Sequence, residues 1–161
     1  MFRSPRQALT YLSETASFKQ YLDYYTQRAG LTENKLALFS RLNQSTLNKI
    51  ANGKMQNVSV PMLVCICLAL GLNEVEAVDL MARRERALSP ANETHQLYMD
   101  LIRMYSSKKI DYQLLKDTPE ELLEAADRYL ESANKEALPD ANRLLKRNNI
   151  LKRAGAKSYS I

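Results

Sequence analysis

Apolar side chains along this chain recur at helical spacing in short runs, and most runs open on a capping residue. Ser4-Pro5-Arg6-Gln7 has a hydroxyl cap, proline at the first helical position and glutamine three on, which predicts a helix near the N-terminus. Ser17-Phe18-Lys19-Gln20 opens a second, with Phe18, Tyr21, Leu22 and Tyr25 as its stripe and Gly30 as its stop. Thr32 caps a third, with Leu36, Ala37 and Phe39 inward. Asn43 caps a fourth that runs to Asn52-Gly53. Ser59 and Pro61 open a fifth, apolar on every side, that stops at Gly71. Asn73 to Glu76 caps a sixth, for which Val75, Val78, Leu80 and Met81 are the expected buried set, with Arg83, Arg84 and Arg86 near its end.

Ser89 to Asn92 reads as a boundary. Beyond it, Leu97, Tyr98, Leu101, Ile102 and Tyr105 keep helical spacing. Thr118-Pro119-Glu120-Glu121 opens another helix, with Leu122, Leu123, Ala126, Tyr129 and Leu130 inward. Pro139 opens a last one through Ala141, Leu144 and Leu145, before a tail, AGAKSYSI, that reads as frayed. The division expected is an N-terminal helix or arm over 1–16, a compact domain over 17–86 and a helical region over 90–161. Few glycines and prolines, with Val and Ile scarce outside residues 58 to 78, favour an all-α fold.

The stretch TENKLALFSRLNQSTLNKIANGK ends one helix near Ser40 and starts another by Gln44, where one long helix would be simpler. On a wheel of 100° per residue, Gln44, Asn48, Asn52, Ser45 and Lys49 fill one arc of the second helix. Thr46, Leu47, Ile50 and Ala51 fill the other. A solvated face usually carries Glu and Lys. This one has amides, a hydroxyl, one Lys and no acid. Gln and Asn can pair bidentately with adenine in the major groove, and Lys attracts phosphate. A helix presented to a groove must protrude from its domain and be braced by another across it, which a tight turn achieves. In that arrangement Ala37 is small at the crossing, Leu42 plugs the turn, and Leu47 and Ile50 dock on the core.

The stretch GLTENKLALFSRLNQSTLNKIANGK resembles the Cro/lambda-repressor-like helix-turn-helix family, also called the XRE family. Gly30, Leu31, Leu36, Ala37, Leu42, Thr46, Leu47, Ile50 and Gly53 match its pattern without gaps, Thr32 replaces the usual Ser, and the likeness spans about residues 17 to 85. It implies a five-helix DNA-binding domain followed here by a helical C-terminal region. It also implies a bacterial or phage transcription regulator, most often a repressor, binding double-stranded DNA as a homodimer on a near-palindromic site through helix 43–52. By position, Gln44, Ser45 and Asn48 would read bases. Lys49, Asn52, Lys54 and Asn57 would hold phosphates, with Lys35 and Arg41 as weaker phosphate candidates. Glu33 departs from the family's Gln, and Arg41 from its Gly, where a left-handed backbone would cost about 1 kcal/mol. Ala51 replaces a usual Glu. Glu33 and Arg41 leave an alternative: a helix-turn-helix protein-interaction module or antitoxin-like partner.

Charge agrees with a polyanion partner in part. Lys and Arg outnumber Asp and Glu eight to three over residues 1–60 and six to one over 138–161, but residues 90–137 carry ten acids against six bases. The acidic region, with Tyr98, Tyr105, Tyr112 and Tyr129, would suit dimerisation, or would hold a small-molecule effector or regulatory protein. The basic stretch RLLKRNNILKRAGAK would add phosphate contacts or simply be solvated.

Chemistry beyond binding is not signalled. His95 is the lone histidine and lies in no nucleophile motif, and there is no Gly-rich phosphate loop, C-x-x-C or metal-ligand cluster, so neither an enzyme nor a cofactor is expected. The carboxylates of PEELLEAAD sit in the first turns of a helix, where the dipole accounts for them. Cys65 and Cys67 point about 200° apart on a helix and read as buried hydrophobes in a reducing, cytoplasmic setting. The longest apolar run, 58 to 72, is shorter than the ~20 residues needed to span a bilayer, and no membrane association is expected.

Overall fold

The computed structural model describes residues 12–106 and 121–141. Among them are seven helices and no strand: α1 (Phe18–Arg28), α2 (Glu33–Phe39), α3 (Gln44–Ala51), α4 (Val60–Ala69), α5 (Glu74–Ala82), α6 (Glu93–Ser106) and α7 (Glu121–Ser132). The described chain is all-α. The helix expected after Ser4, the cap at Thr118, most of the helix expected after Pro139 and the final tail lie outside the described residues.

The caps form where side-chain chemistry places them. Ser17 and Asn73 each close a capping box, with Gln20 and Glu76. Thr32, Asn43 and Ser59 accept from the backbone N–H of Lys35, Thr46 and Met62. Each such cap is worth about 1 kcal/mol.

α4 is the hub. It is buried without a break from Leu63 to Ala69, because an apolar helix has no face to offer water. It packs against α2, α5, α6 and α7. α1 packs on α3 and α5, and α2 on α3. Leu63, Ile66 and Leu68 each contribute roughly 1.5–3 kcal/mol by burial.

The stripe of α5 differs from the one expected. Val75 and Val78 are 58% and 47% exposed, while Glu76 and Ala77 are buried with Leu80 and Met81. Glu76 turns inward for two reasons. One carboxylate oxygen accepts from the Asn73 N–H to complete the capping box, and the other pairs with Arg28. Fixing Glu76 on the inner side rotates both valines to the surface.

The segment after residue 90 shares this core. Tyr98, Leu101, Ile102, Leu123, Ala126, Leu130 and Leu138 join one apolar cluster with α1 to α5. The Ser89–Asn92 boundary is a turn, closed by Asn92 N–H donating to the Ser89 carbonyl at 3.2 Å. His95 packs there, its Nδ1 accepting from Ser89 N–H at 2.9 Å and its ring stacked on Tyr98. Of the tyrosines that would suit a dimer contact, Tyr98 is buried and Tyr105 and Tyr129 are half-buried, the Tyr129 hydroxyl donating to Asp100. Tyr112 lies outside the described residues.

Candidate nucleic-acid interface

α2 ends at Phe39, and three residues later Asn43 caps α3. The turn closes as a Schellman motif: Leu42 N–H donates to the Ala37 carbonyl and Arg41 N–H to the Leu38 carbonyl, both at 3.1 Å. Arg41 sits at φ 57°, in the left-handed region. Ser40 is buried and turns its hydroxyl back to the Leu36 carbonyl at 2.7 Å. Leu42 is buried beneath the turn, and Ala37 is buried in α2.

α3 is sharply two-sided. Leu47 and Ile50 are 1% and 0% exposed. Gln44, Ser45, Asn48, Lys49 and Asn52 all lie exposed on the other side. The first turn of α3 holds no acid, so no carboxylate of its own helix stands beside Gln44 and Ser45 to oppose an anion at its N-terminus. Asn52 Nδ2 donates to Asn48 Oδ1 at 2.7 Å, which orients both amides along the face.

Lys54 and Asn57 are exposed on the loop that follows, and Lys35 is exposed on α2. That loop is fastened from below by two arginines at the end of α5. Arg84 Nη2 donates to the Met55 carbonyl, and Arg86 Nε donates to the Val58 carbonyl at 2.8 Å. Gly53 begins the loop at φ 74°, where a side chain would be strained. Arg84 and Arg86 stand out in the sequence as cations near the end of a helix, but nothing local to them signals this role in holding the loop.

Arg41 is not at this surface. Its side chain is only 4% exposed, and its guanidinium donates to Asp127 at 2.6 and 3.1 Å and to the carbonyls of Leu138 and Pro139 at 3.1 and 3.4 Å. This corrects its assignment as a phosphate contact: the left-handed turn aims the side chain inward, towards the C-terminal segment. Burial opposes the charge, but the hydrogen bond and charge of Asp127 outweigh it and raise the guanidinium pKa above its ordinary value. By sequence alone, Asp127 is one of the carboxylates that the dipole of its own helix explains. Nothing local to its sequence signals a partner 86 positions away.

No family model, curated protein or solved structure matches the chain. A shallow cleft of about 230 Å³ lies between α1, α2 and α3, lined by Lys19, Asp23, Glu33 and Asn48 among others. Its two acids against one lysine make it a poor seat for phosphate. Among the described residues no group of three His, Cys, Asp or Glu is placed to hold a metal. No described helix is long and apolar enough to cross a membrane.

Proposed function

We propose that the protein is a sequence-specific DNA-binding regulator of the Cro/lambda-repressor-like type, with α1 to α5 as its five-helix domain and α3 as the helix that enters the major groove. The observation that carries this reading is the acid-free exposed face of α3, set on a helix whose other side is locked into the core. Gln44, Ser45 and Asn48 are the base-reading set. Lys49, Asn52, Lys54, Asn57 and Lys35 are the phosphate set. The reading carries with it a homodimer on a near-palindromic duplex, repression as the mode of regulation, and no catalytic activity.

The test is selection of duplexes from a random library by the purified chain near 0.15 M salt, beside Gln44→Ala/Asn48→Ala. The expected result is an enriched, two-fold symmetric site that the variant fails to enrich, each lost bidentate contact costing about 1–3 kcal/mol. Weak, salt-labile binding without enrichment, the same for both proteins, would end the base-reading assignment.

A second reading, a module that binds another protein, is favoured by the exposed valines of α5. Val75, Val78 and Ala82 share one exposed side of that helix. The flanking Glu74 and Asp79 are paired with Arg103 and Arg83. Loss of a binding partner on Val75→Lys/Val78→Lys, with duplex selection negative, would favour it over DNA.

A further inference from the structure

The turn before α3 is held from outside as well as from within. After α7 the chain turns at Asn134, at φ 59°, and runs without helix to Ala141, meeting α4 where the Cys65 thiol donates to the Pro139 carbonyl. This strap meets the turn at three points. The Arg41 guanidinium is bound by Asp127 of α7 and by the carbonyls of Leu138 and Pro139. The Arg41 carbonyl accepts from the Ala141 N–H at 2.8 Å. Asp127 Oδ1 also accepts from the Leu138 N–H at 2.8 Å, so one carboxylate ties turn and strap together.

Arginine is an unfavourable choice at a left-handed position, where glycine is free. Here it supplies what glycine cannot, a charged arm from the turn to α7. The arm leaves the chain two residues before Asn43, the cap of α3, so it lies at the pivot of the helix proposed to read bases. A rotation of about 10° at that pivot would displace Asn48 by about 1 Å and the far end of α3 by about 2 Å, at 1.5 Å of rise per residue. Hydrogen bonds to base edges tolerate roughly 0.5 Å.

We propose that Asp127 is a positioning residue for DNA readout: acting through Arg41, it sets the angle at which α3 is presented. This rests on the assignment of α3 as the reading helix. It makes the C-terminal segment part of the reading apparatus, and a natural point at which anything that draws residues 127–141 away would alter DNA binding.

The test uses the full chain, with Asp127→Asn, Arg41→Gly and the double variant. Amide hydrogen exchange is followed at residues 41 to 47, with the α4 amides from Ile66 to Leu68 as an internal reference for global stability. Affinity is measured for the duplex enriched by the wild-type chain and for a scrambled duplex. Each single variant is expected to raise exchange in the turn and first turn of α3 about tenfold relative to α4, as local opening does. The double variant should fall well short of the sum of the two single effects, since both lose the same Arg41–Asp127 link. Preference for the enriched over the scrambled duplex should fall by a comparable factor. Arg41→Gly keeps the turn conformation accessible, so it remains informative where Asp127→Asn folds poorly. Exchange that rises equally in α4, or does not rise, would reduce Asp127 to a core-stabilising residue and overturn the proposal. A loosened turn with unchanged preference would overturn it too. If the wild-type chain enriches no duplex, it is the DNA assignment that fails, and the exchange measurement still decides whether Asp127 governs the turn.

Discussion

Asn52 donates its side-chain amide to the side-chain oxygen of Asn48, one turn earlier on the exposed face of α3, at 2.7 Å. An amide oxygen has two acceptor sites, so Asn48 keeps one for a base while its plane is held. A side chain already oriented loses less freedom on pairing. Asn52→Ala should therefore weaken binding to the selected duplex by about fivefold, the effect of about 1 kcal/mol. The loss should concentrate at the base pair that Asn48 reads. Fluorescence anisotropy with single-base variants of the duplex measures this. A loss spread evenly over all variants would leave Asn52 as a phosphate contact only.

The lysines and Arg41 should separate cleanly in salt. Lys35, Lys49 and Lys54 are exposed, whereas Arg41 is enclosed by Asp127 and the strap. A cation that neutralises a phosphate releases a counterion, so its removal shallows the dependence of log K on log salt by about one unit. Lys49→Ala and Lys54→Ala should each do this on any duplex. Arg41→Gly should leave the slope unchanged, whatever it does to affinity. A slope change with Arg41→Gly equal to that of Lys54→Ala would mean the arginine leaves its buried pair when DNA binds.

Much of the scaffold was legible because helix caps are local chemistry. Ser17, Thr32, Asn43, Ser59 and Asn73 announce their helices within four residues of sequence. The two-sidedness of α3 was legible for the same reason, as five adjacent polar positions on one wheel. Long-range pairings were not. Val75 and Val78 read as core by residue type, and it is Glu76, held inward by its capping box and by Arg28 48 positions away, that turns them outward. Arg41, a phosphate candidate by its position in the sequence, is instead enclosed by Asp127, 86 positions away. The reversal on α5 is checkable by urea unfolding: Val75→Lys should shift stability by no more than about 0.5 kcal/mol, while Leu80→Ala should cost about 2–5 kcal/mol.

Arg83 ties the entry of α1 to the end of α5. Its guanidinium lies 3.7 Å from the centre of the Tyr21 ring, donates to the carbonyls of Glu14 and Ala16 at 2.7 and 2.8 Å, and pairs with Asp79. A planar group with five donors makes these contacts at once, and an ammonium cannot. Arg83→Lys should therefore recover little of what Arg83→Ala loses, which is expected to be about 1–3 kcal/mol. The urea midpoints of the two variants decide it: full recovery by lysine would reduce the role of Arg83 to charge alone.

The hub helix makes a sharper demand on chemistry. Cys65 and Cys67 are 0% and 1% exposed on α4 and point to different sides of it, Cys65 donating weakly to the Pro139 carbonyl at 3.7 Å. Burial pushes the Cys67 thiol far above its usual range. The thiolate is the reactive form, so Cys67 is protected twice, by access and by protonation. Iodoacetamide should reach it only when α4 opens, and α4 packs against four other helices, so that opening is expected to be close to global unfolding. With a typical domain stability of about 5–15 kcal/mol, labelling in the native chain should run roughly a thousandfold or more slower than in denaturant. Its rate should climb with urea in step with the unfolding transition. Fast labelling of Cys67 without denaturant would mean that α4 opens locally, and a helix that opens locally could not serve as the fixed platform from which α2, the Arg41 turn and α3 are presented.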